Sequence, residues 1–410
     1  MDGFAIDGDR LRERFEAFSR IGATDGGGVD RPALTDANRE ARDTLVGWLE
    51  DAGLEVTVDE MGNIFGRREG ESAGAAPVLF GSHVDSVSGG GRLDGVLGVL
   101  GALEVVEALN DAGRRTDRPL EVVSWTNEEG VRFQPDLLGS GVFSGTFDRE
   151  FAYSRTDDAG TTVEAELERI GYRGETPCEP RDLHCYLELH VEQGPSLDND
   201  DLSVAAVDGV FGFSWLDVTL EGRADHAGPT PMGSRRDALV GASDVVTAVR
   251  RLTATGGGDL VGTVGSLEVS PGAVNVIPER VTLTVDLRSA EDAVVEAAVG
   301  RVREEVEWAA GREGLDYECE ELMRVDAATF DPDCVETVLA AMDEAGYVET
   351  RLTSGAGHDA SYLNEICPTA MVFVPSVDGV SHRESEFTEW ADVLAGVEVF
   401  GRAVVKTADE

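Results

Sequence analysis

The run Leu79-Phe80-Gly81-Ser82-His83-Val84-Asp85, continued by Gly90-Gly91-Arg92-Leu93-Asp94-Gly95 and an apolar stretch over 95–110, decides the fold. An apolar segment of strand length, 77–82, runs into polar residues. A glycine-rich loop follows, and a helix-length run begins directly after Asp94. The pattern extends in both directions. Helices are expected at 9–21 and 36–52, the second capped by Thr35 or Asp36. Strands are expected at 54–58, 120–126, 185–191 and 203–208. This alternation predicts an α/β layer with a largely buried sheet.

Between 211 and 322 the rhythm changes. Strand 211–221, helix 235–252, strands 261–269 and 280–287, helix 291–313 and strand 315–321 give the order βαββαβ of ferredoxin-like domains. Helix 334–346, strand 370–375 and helix 388–405 then resume the first pattern. The expectation is an inserted domain, 211–322, within an outer domain built from 1–210 and 323–410. The glycine runs 26–28, 89–91 and 256–258 read as loops.

The chain has 410 residues and a net charge of −46, from 80 acidic and 34 basic residues. Lys406 is the only lysine. A lone lysine so near the C-terminus excludes a phosphate-binding lysine loop, a Schiff-base site and a Ser-Lys dyad. The acid excess repels phosphate backbones and anionic lipid heads, so neither nucleic acid nor a membrane is an expected partner. Area scaling gives a folded surface of roughly 15,000 Å², or about one acid per 190 Å² and about 14 Å between neighbouring carboxylates. Such an acidic, lysine-poor surface resembles those of salt-loving organisms, because the Debye length falls from about 8 Å at physiological salt to about 3 Å at 1 M. Cys178, Cys185, Cys319, Cys334 and Cys367 show no C-x-x-C spacing and read as reduced thiols. The N-terminal residues carry no basic segment followed by an apolar core, and no window reaches 18 apolar residues, so a cytoplasmic location is expected.

Polar residues of ligand type recur where predicted strands end. His83 and Asp85 close strand 77–82, and the i, i+2 spacing would let Asp85 reach the second ring nitrogen of a metal-bound His83. Asn127-Glu128-Glu129 follows strand 120–126, and His190-Val191-Glu192-Gln193-Gly194-Pro195 ends strand 185–191. Strand 370–375 leads to Ser381-His382. Taken singly, a strand-end histidine reads as structural and a glutamate pair as a solvated turn. Together they sit where open α/β sheets bind ligands. Histidines with carboxylates suit zinc-like ions, and a bridging carboxylate would set two ions about 3.5–4 Å apart, an arrangement suited to hydrolysis. No G-x-x-x-x-G-K-[ST] or G-x-S-x-G is present. Gly95-x-x-Gly98-x-x-Gly101 falls inside a helix, where small residues allow close packing.

These segments resemble the hydantoinase/carbamoylase branch of the aminoacylase-like dinuclear metallohydrolases, which includes N-carbamoyl-L-amino acid hydrolases, allantoate amidohydrolases and β-ureidopropionases. The resemblance covers nearly the whole chain. It continues through Gly130-Val131-Arg132-Phe133 and, within 211–322, through Asp225-His226-Ala227-Gly228, Pro231-Met232 and Arg235-Arg236-Asp237-Ala238. It implies an α/β, zinc-peptidase-like catalytic domain with a mixed central sheet, and an inserted ferredoxin-like lid and dimerisation domain through which a homodimer forms.

It further implies two divalent ions per subunit, zinc first, with manganese, cobalt or nickel as alternatives. His83 and His382 would be terminal ligands, Asp94 would bridge, and Glu129 and His190 would complete the set. Glu128 would be the general base, and Asp85 and His226 would assist catalysis, His226 by stabilising the oxyanion. Gln193, Asn275, Arg288, Gly357 and His358 would meet the substrate, with Arg288 gripping a carboxylate. For His358 a place behind the pocket is an equal alternative. His184 reads as structural. The family often has a proline two residues after Ser381-His382, where this chain has Glu384. The implied reaction is hydrolysis of a ureido C–N bond of an N-carbamoyl-L-amino acid. Allantoate or ureidopropionate are alternative substrates, and an N-acyl amidase, a peptidase or an inactive binding protein are more distant readings.

The surface charge generates a direct test. The melting temperature should rise between 0.1 and 3 M KCl as screening shortens the reach of the carboxylates; an unchanged value across that range would refute the salt-adapted reading.

Overall fold

The computed structural model describes residues 4–72, 74–255 and 258–410. The N-terminal Met1-Asp2-Gly3 and two glycines of the 256–258 run lie outside the described residues. The chain divides into two compact units, Val210–Ala328 and the remainder on either side of it.

Six strands precede the second unit's own: β1 (Glu55–Val58), β2 (Ile64–Arg68), β3 (Val78–His83), β4 (Leu120–Trp125), β5 (Cys185–Val191) and β6 (Ala205–Val210). Four form the second unit's sheet: β7 (Gly212–Glu221), β8 (Val261–Ser270), β9 (Arg280–Ser289) and β10 (Asp316–Val325). The last three are β11 (Ala328–Thr329), β12 (Arg351–Ser354) and β13 (Thr369–Val374).

The large sheet has the order β1-β2-β4-β3-β5-β13-β6-β11, with β12 also on β6. Its centre, β4-β3-β5-β13, is parallel, while β2 and β6 join antiparallel. The central strands are buried throughout, as expected for parallel strands covered on both faces. In register, His83 lies opposite Trp125 and Phe373 opposite His190. The carboxyl ends of four neighbouring strands therefore fall on one edge, and that edge carries the polar segments.

Helix Val96–Asp111 packs on β3 and β5 and against helix Trp390–Ala408. Its apolar residues surround it because it is buried on nearly every side. A Cβ at Gly98 would stand 2.5 Å from the Leu189 carbonyl oxygen, so the glycines of this helix serve close packing. Helix Asp36–Asp51 begins at Thr35, whose hydroxyl accepts the Asn38 N–H at 3.2 Å. Beneath the sheet edge, Trp125 packs against Phe65, Phe143 and Tyr186 and donates its indole N–H to the Tyr186 hydroxyl at 3.1 Å.

In the second unit the antiparallel order β10-β7-β9-β8 carries helices Ala238–Thr255 and Asp292–Glu313 on one face. Leu216, Val218, Leu220, Val281, Leu283 and Val285 meet that helix pair in the unit's own core. β9 alternates buried and half-buried residues along its length, the signature of a sheet covered on one face.

The sequence reading passes over β2, where Gly66 and two arginines interrupt the apolar pattern, and the short helix Leu138–Ser144, which carries two glycines. No helix among the described residues is long and apolar enough to cross a membrane. The five cysteines are free thiols.

Replacing Trp125 by alanine should cost about 3–5 kcal/mol, the usual loss for a fully buried aromatic. Urea unfolding measures this; a loss under about 1 kcal/mol would show that the aromatic cluster does not hold the sheet edge.

Candidate metal centre

β3 ends at His83, and its ring faces the start of helix Val96–Asp111. The approach is possible because residue 95 is glycine. A Cβ there would lie 2.3 Å from His83 Nε2, and the residue has φ +66°, which only glycine adopts without strain. His83 Nδ1 meets the Asp85 carbonyl oxygen at 3.0 Å, which fixes the ring with Nε2 inward. The Asp85 carboxylate is farther from that ring, at 3.8 Å. It accepts instead the backbone N–H groups of Glu128 and Glu129, each at 3.3 Å. The expected carboxylate–imidazole contact is thus replaced, because the strand ends at His83 and the chain turns before Asp85.

After β4, Asn127 adopts φ +57°, and its side-chain amide donates to the carbonyls of Phe133 and Pro135. Thr126, just before it, is held by Asn63 and by the buried Arg42. This anchored turn aims two carboxylates at the same space. Glu128 Oε2 stands 3.5 Å from His83 Nε2, and Glu129 Oε2 stands 3.5 Å from His382 Nε2. His190 Nε2, at the end of β5, stands 3.2 Å from Asp94 Oδ1, while Asp94 Oδ2 lies 3.6 Å from His382 Nε2. Gln193 Nε2 donates to Asp94 at 3.3 Å and lies 3.3 Å from His382 Nε2.

The donor atoms form overlapping groups. His83, Asp94 and His190 make one, and Asp94, Glu129 and His382 another, each with all donor atoms within 4.8 Å. Asp94 is common to both. His83, Glu128 and Glu129 make a third group with the same spacing.

The electrostatics of the cluster are those of crowded, buried carboxylates. Burial and then the neighbouring carboxylates Glu129, Asp359, Asp85 and Asp94 push the Glu128 carboxyl well above its usual range. Burial, Asp94 and Asp85 do the same to Glu129. Asp94 goes the other way: burial opposes ionisation, but the His190 hydrogen bond and the charges of His83 and His382 outweigh it. Although burial alone would lower it, Asp94 lifts His190 to about 9. His83 is lowered by burial, and its Nε2 is buried without a hydrogen-bond partner among the described residues. An orphaned imidazole nitrogen facing several buried carboxylates is a donor set suited to divalent ions.

His358 is buried and packs its ring 4.6 Å from that of His190, with Nε2 3.0 Å from the Ser354 hydroxyl. With Glu188 and His190 it makes a further group of donor atoms within 4.8 Å of one another. Gly357 directly precedes it. Two acids escape the sequence reading. Glu188 is buried within β5 and accepts from Ser82, Tyr186 and the Ala360 N–H. A charged residue between Leu187 and Leu189 in an apolar strand was the available signal. Glu386 is pushed up to about 8 by burial and Asp94, and nothing marked it within its polar segment.

In the second unit, His226 is exposed and its Nδ1 accepts the Gly228 N–H at 3.0 Å. Asn275 adjoins it, since the Asn275 carbonyl accepts the Ala227 N–H. Arg288, on β9, forks onto Asp286 and lies over the Phe213 ring at 5.3 Å.

A zinc-peptidase-type sheet with this donor set defines a class. The family model described as Peptidase family M20/M25/M40 matches residues 79–406, and the chain belongs to that family. Over 406 residues it is 41% identical to an N-carbamoyl-L-amino-acid amidohydrolase of Rhizobium meliloti, covering 98% of this chain and 97% of the relative. It is 38% identical to an N-carbamoyl-L-amino acid amidohydrolase of Geobacillus stearothermophilus, with 98% and 99% covered. Among solved structures, an amidase of the hydantoinase/carbamoylase family from Burkholderia multivorans superposes with a TM-score of 0.96 at 47% identity, with 99% of each chain covered.

Gly95→Ala should drive the His83 ring from its place and weaken divalent-cation binding about 10–100-fold, the usual effect of disturbing a ligand's support. Equilibrium competition with a chromophoric chelator measures this; unchanged affinity in a folded variant would show that the ring needs no such clearance.

Proposed function

We propose that the chain is a metal-dependent amidohydrolase that cleaves the ureido C–N bond of an N-carbamoyl-L-amino acid, releasing the amino acid, CO₂ and ammonia. The observation that carries this reading is the pair of donor groups sharing Asp94 at the sheet edge, in a chain similar over nearly its whole length to amidohydrolases. His83, Asp94 and His190 would hold one divalent ion, and Asp94, Glu129 and His382 a second. Zinc suits this nitrogen and oxygen set, and manganese, cobalt or nickel fit the same donors. When bound, such ions polarise a carbonyl and make water a stronger nucleophile near neutral pH.

The chain's own groups supply the remainder. Glu128, through Oε2, takes a proton from the attacking water and delivers one to the leaving nitrogen. Asp85 holds the backbone of Glu128 and Glu129 in place, and Gln193 and Gly357 border the reacting group. His226 donates to the oxygen that gains charge during attack, Asn275 binds the ureido group, and Arg288 grips the substrate carboxylate in its planar fork. Residues 211–322 would act as the lid and as the contact between two copies in a homodimer, working in the cytoplasm.

A turnover assay in high salt tests the reading, with released ammonia read for the ureido substrates and released amino acid for the N-acetyl amino acids. N-carbamoyl-L-amino acids should be turned over faster than allantoate, ureidopropionate or N-acetyl amino acids; exclusive hydrolysis of allantoate would move the assignment to that substrate. Chelation should abolish turnover and added metal restore it. Glu128→Gln should bind substrate yet turn over at least ~10²-fold more slowly. Near-wild-type turnover would remove Glu128 from its role.

A further inference from the structure

His382 differs from the other ligand-type residues in how it is held. His83 and His190 are buried at strand ends, whereas the His382 side chain is 54% exposed and follows no strand directly. Its backbone has φ +55°, a left-handed conformation that a non-glycine residue keeps only when its surroundings impose it. What imposes it lies four residues on. The Glu386 carboxylate turns back and accepts the His382 N–H at 3.3 Å, and the Glu386 N–H donates to the Arg383 carbonyl at 3.0 Å. Unlike its neighbours in this exposed turn, Glu386 is buried.

The space for that carboxylate comes from Gly91, and further glycines make room for Glu384 in the same turn. A Cβ on Gly91 would stand 2.0 Å from Glu386 Oε1. A Cβ on Gly28 would stand 2.8 Å from the Glu384 Cα, and one on Gly26 would meet the Glu384 carboxylate. Val29 and Gly90 exchange N–H···O bonds at 3.0 and 2.9 Å, which binds the two glycine runs into one floor. Both glycine runs, distant in sequence from residue 382, converge beneath the same turn.

We propose that Glu386 is a positioning residue for His382: seated against Gly91, in a turn whose Glu384 rests on the 26–28 run, it latches the 382–386 turn so that the imidazole faces Asp94 and Glu129. The inference rests on the reading of His382 as a ligand and adds a residue that the ligand set does not contain. It also gives the glycine runs a purpose beyond linking elements. Glu384 of the same turn lies against the 26–28 run.

Zinc binding to the full chain in molar KCl tests the latch, read by competition with a chromophoric chelator alongside thermal melting. The wild-type chain should bind two ions. Glu386→Ala should keep one ion at wild-type affinity and bind the other about 10–100-fold more weakly, the range for a lost ligand support. Glu386→Gln, which keeps an acceptor oxygen at the same reach, should restore the second ion. Gly91→Ala, which fills the seat while leaving residue 386 a glutamate, should reproduce the selective loss. Two ions at wild-type affinity in both Glu386→Ala and Gly91→Ala would overturn the latch while leaving the metal centre standing. Equal weakening of both ions with a lowered melting temperature would also overturn it, since Glu386 would then serve general stability. A wild-type chain that binds no zinc would overturn the metal centre and this assignment together.

Discussion

Four carboxylates, those of Asp85, Asp94, Glu128 and Glu129, are withdrawn from water at the ends of two adjacent parallel strands and the loop that follows. Burying one unpaired charge is costly, and gathering several of one sign is more so. The polar scaffold around them answers part of that cost. Backbone N–H groups of 128 and 129 meet Asp85, the Val87 N–H meets Glu129, and the imidazoles of His83, His190 and His382 face the rest. The buried guanidiniums of Arg31 and Arg42 add positive field toward Asp85 without touching it. What remains uncompensated is the force that would draw cations in.

The apolar strands and their order were readable because parallel, doubly covered strands are near-continuous hydrophobic runs, and β3, β4, β5 and β13 all have that character. The βαββαβ order of the second unit was equally plain, since its periods of 2 and 3.6 alternate cleanly. β2 was not, because Gly66, Arg67 and Arg68 sit where alternation would be sought. The supporting helix at 138–144 hides behind its glycines.

At the site, the histidines and carboxylates drew notice through their positions at strand ends, and resemblance supplied their grouping. The supports behind them were less visible. Asp85 was placed by strand geometry that stops two residues too early. Glu188 and Glu386 act through hydrogen bonds formed only in the folded chain, across separations that no local pattern encodes. Local spacing predicts which side chains share a face; it is silent on which distant backbone N–H a carboxylate will find.

The donors of this centre are strung from residue 83 to residue 382, with an independently cored unit threaded between them. Contacts of such separation close late, because the intervening loop entropy must be overcome before they return any free energy. During synthesis the second unit can reach its native core while the first still waits for β13 and the turn bearing His382 to emerge. Until then the acidic edge stands open and strand β5 is paired on its β3 side alone. Closure of the donor group Asp94, Glu129 and His382 is therefore tied to synthesis of the turn bearing residue 382, whereas His83, Asp94 and His190 are all in place earlier in the chain.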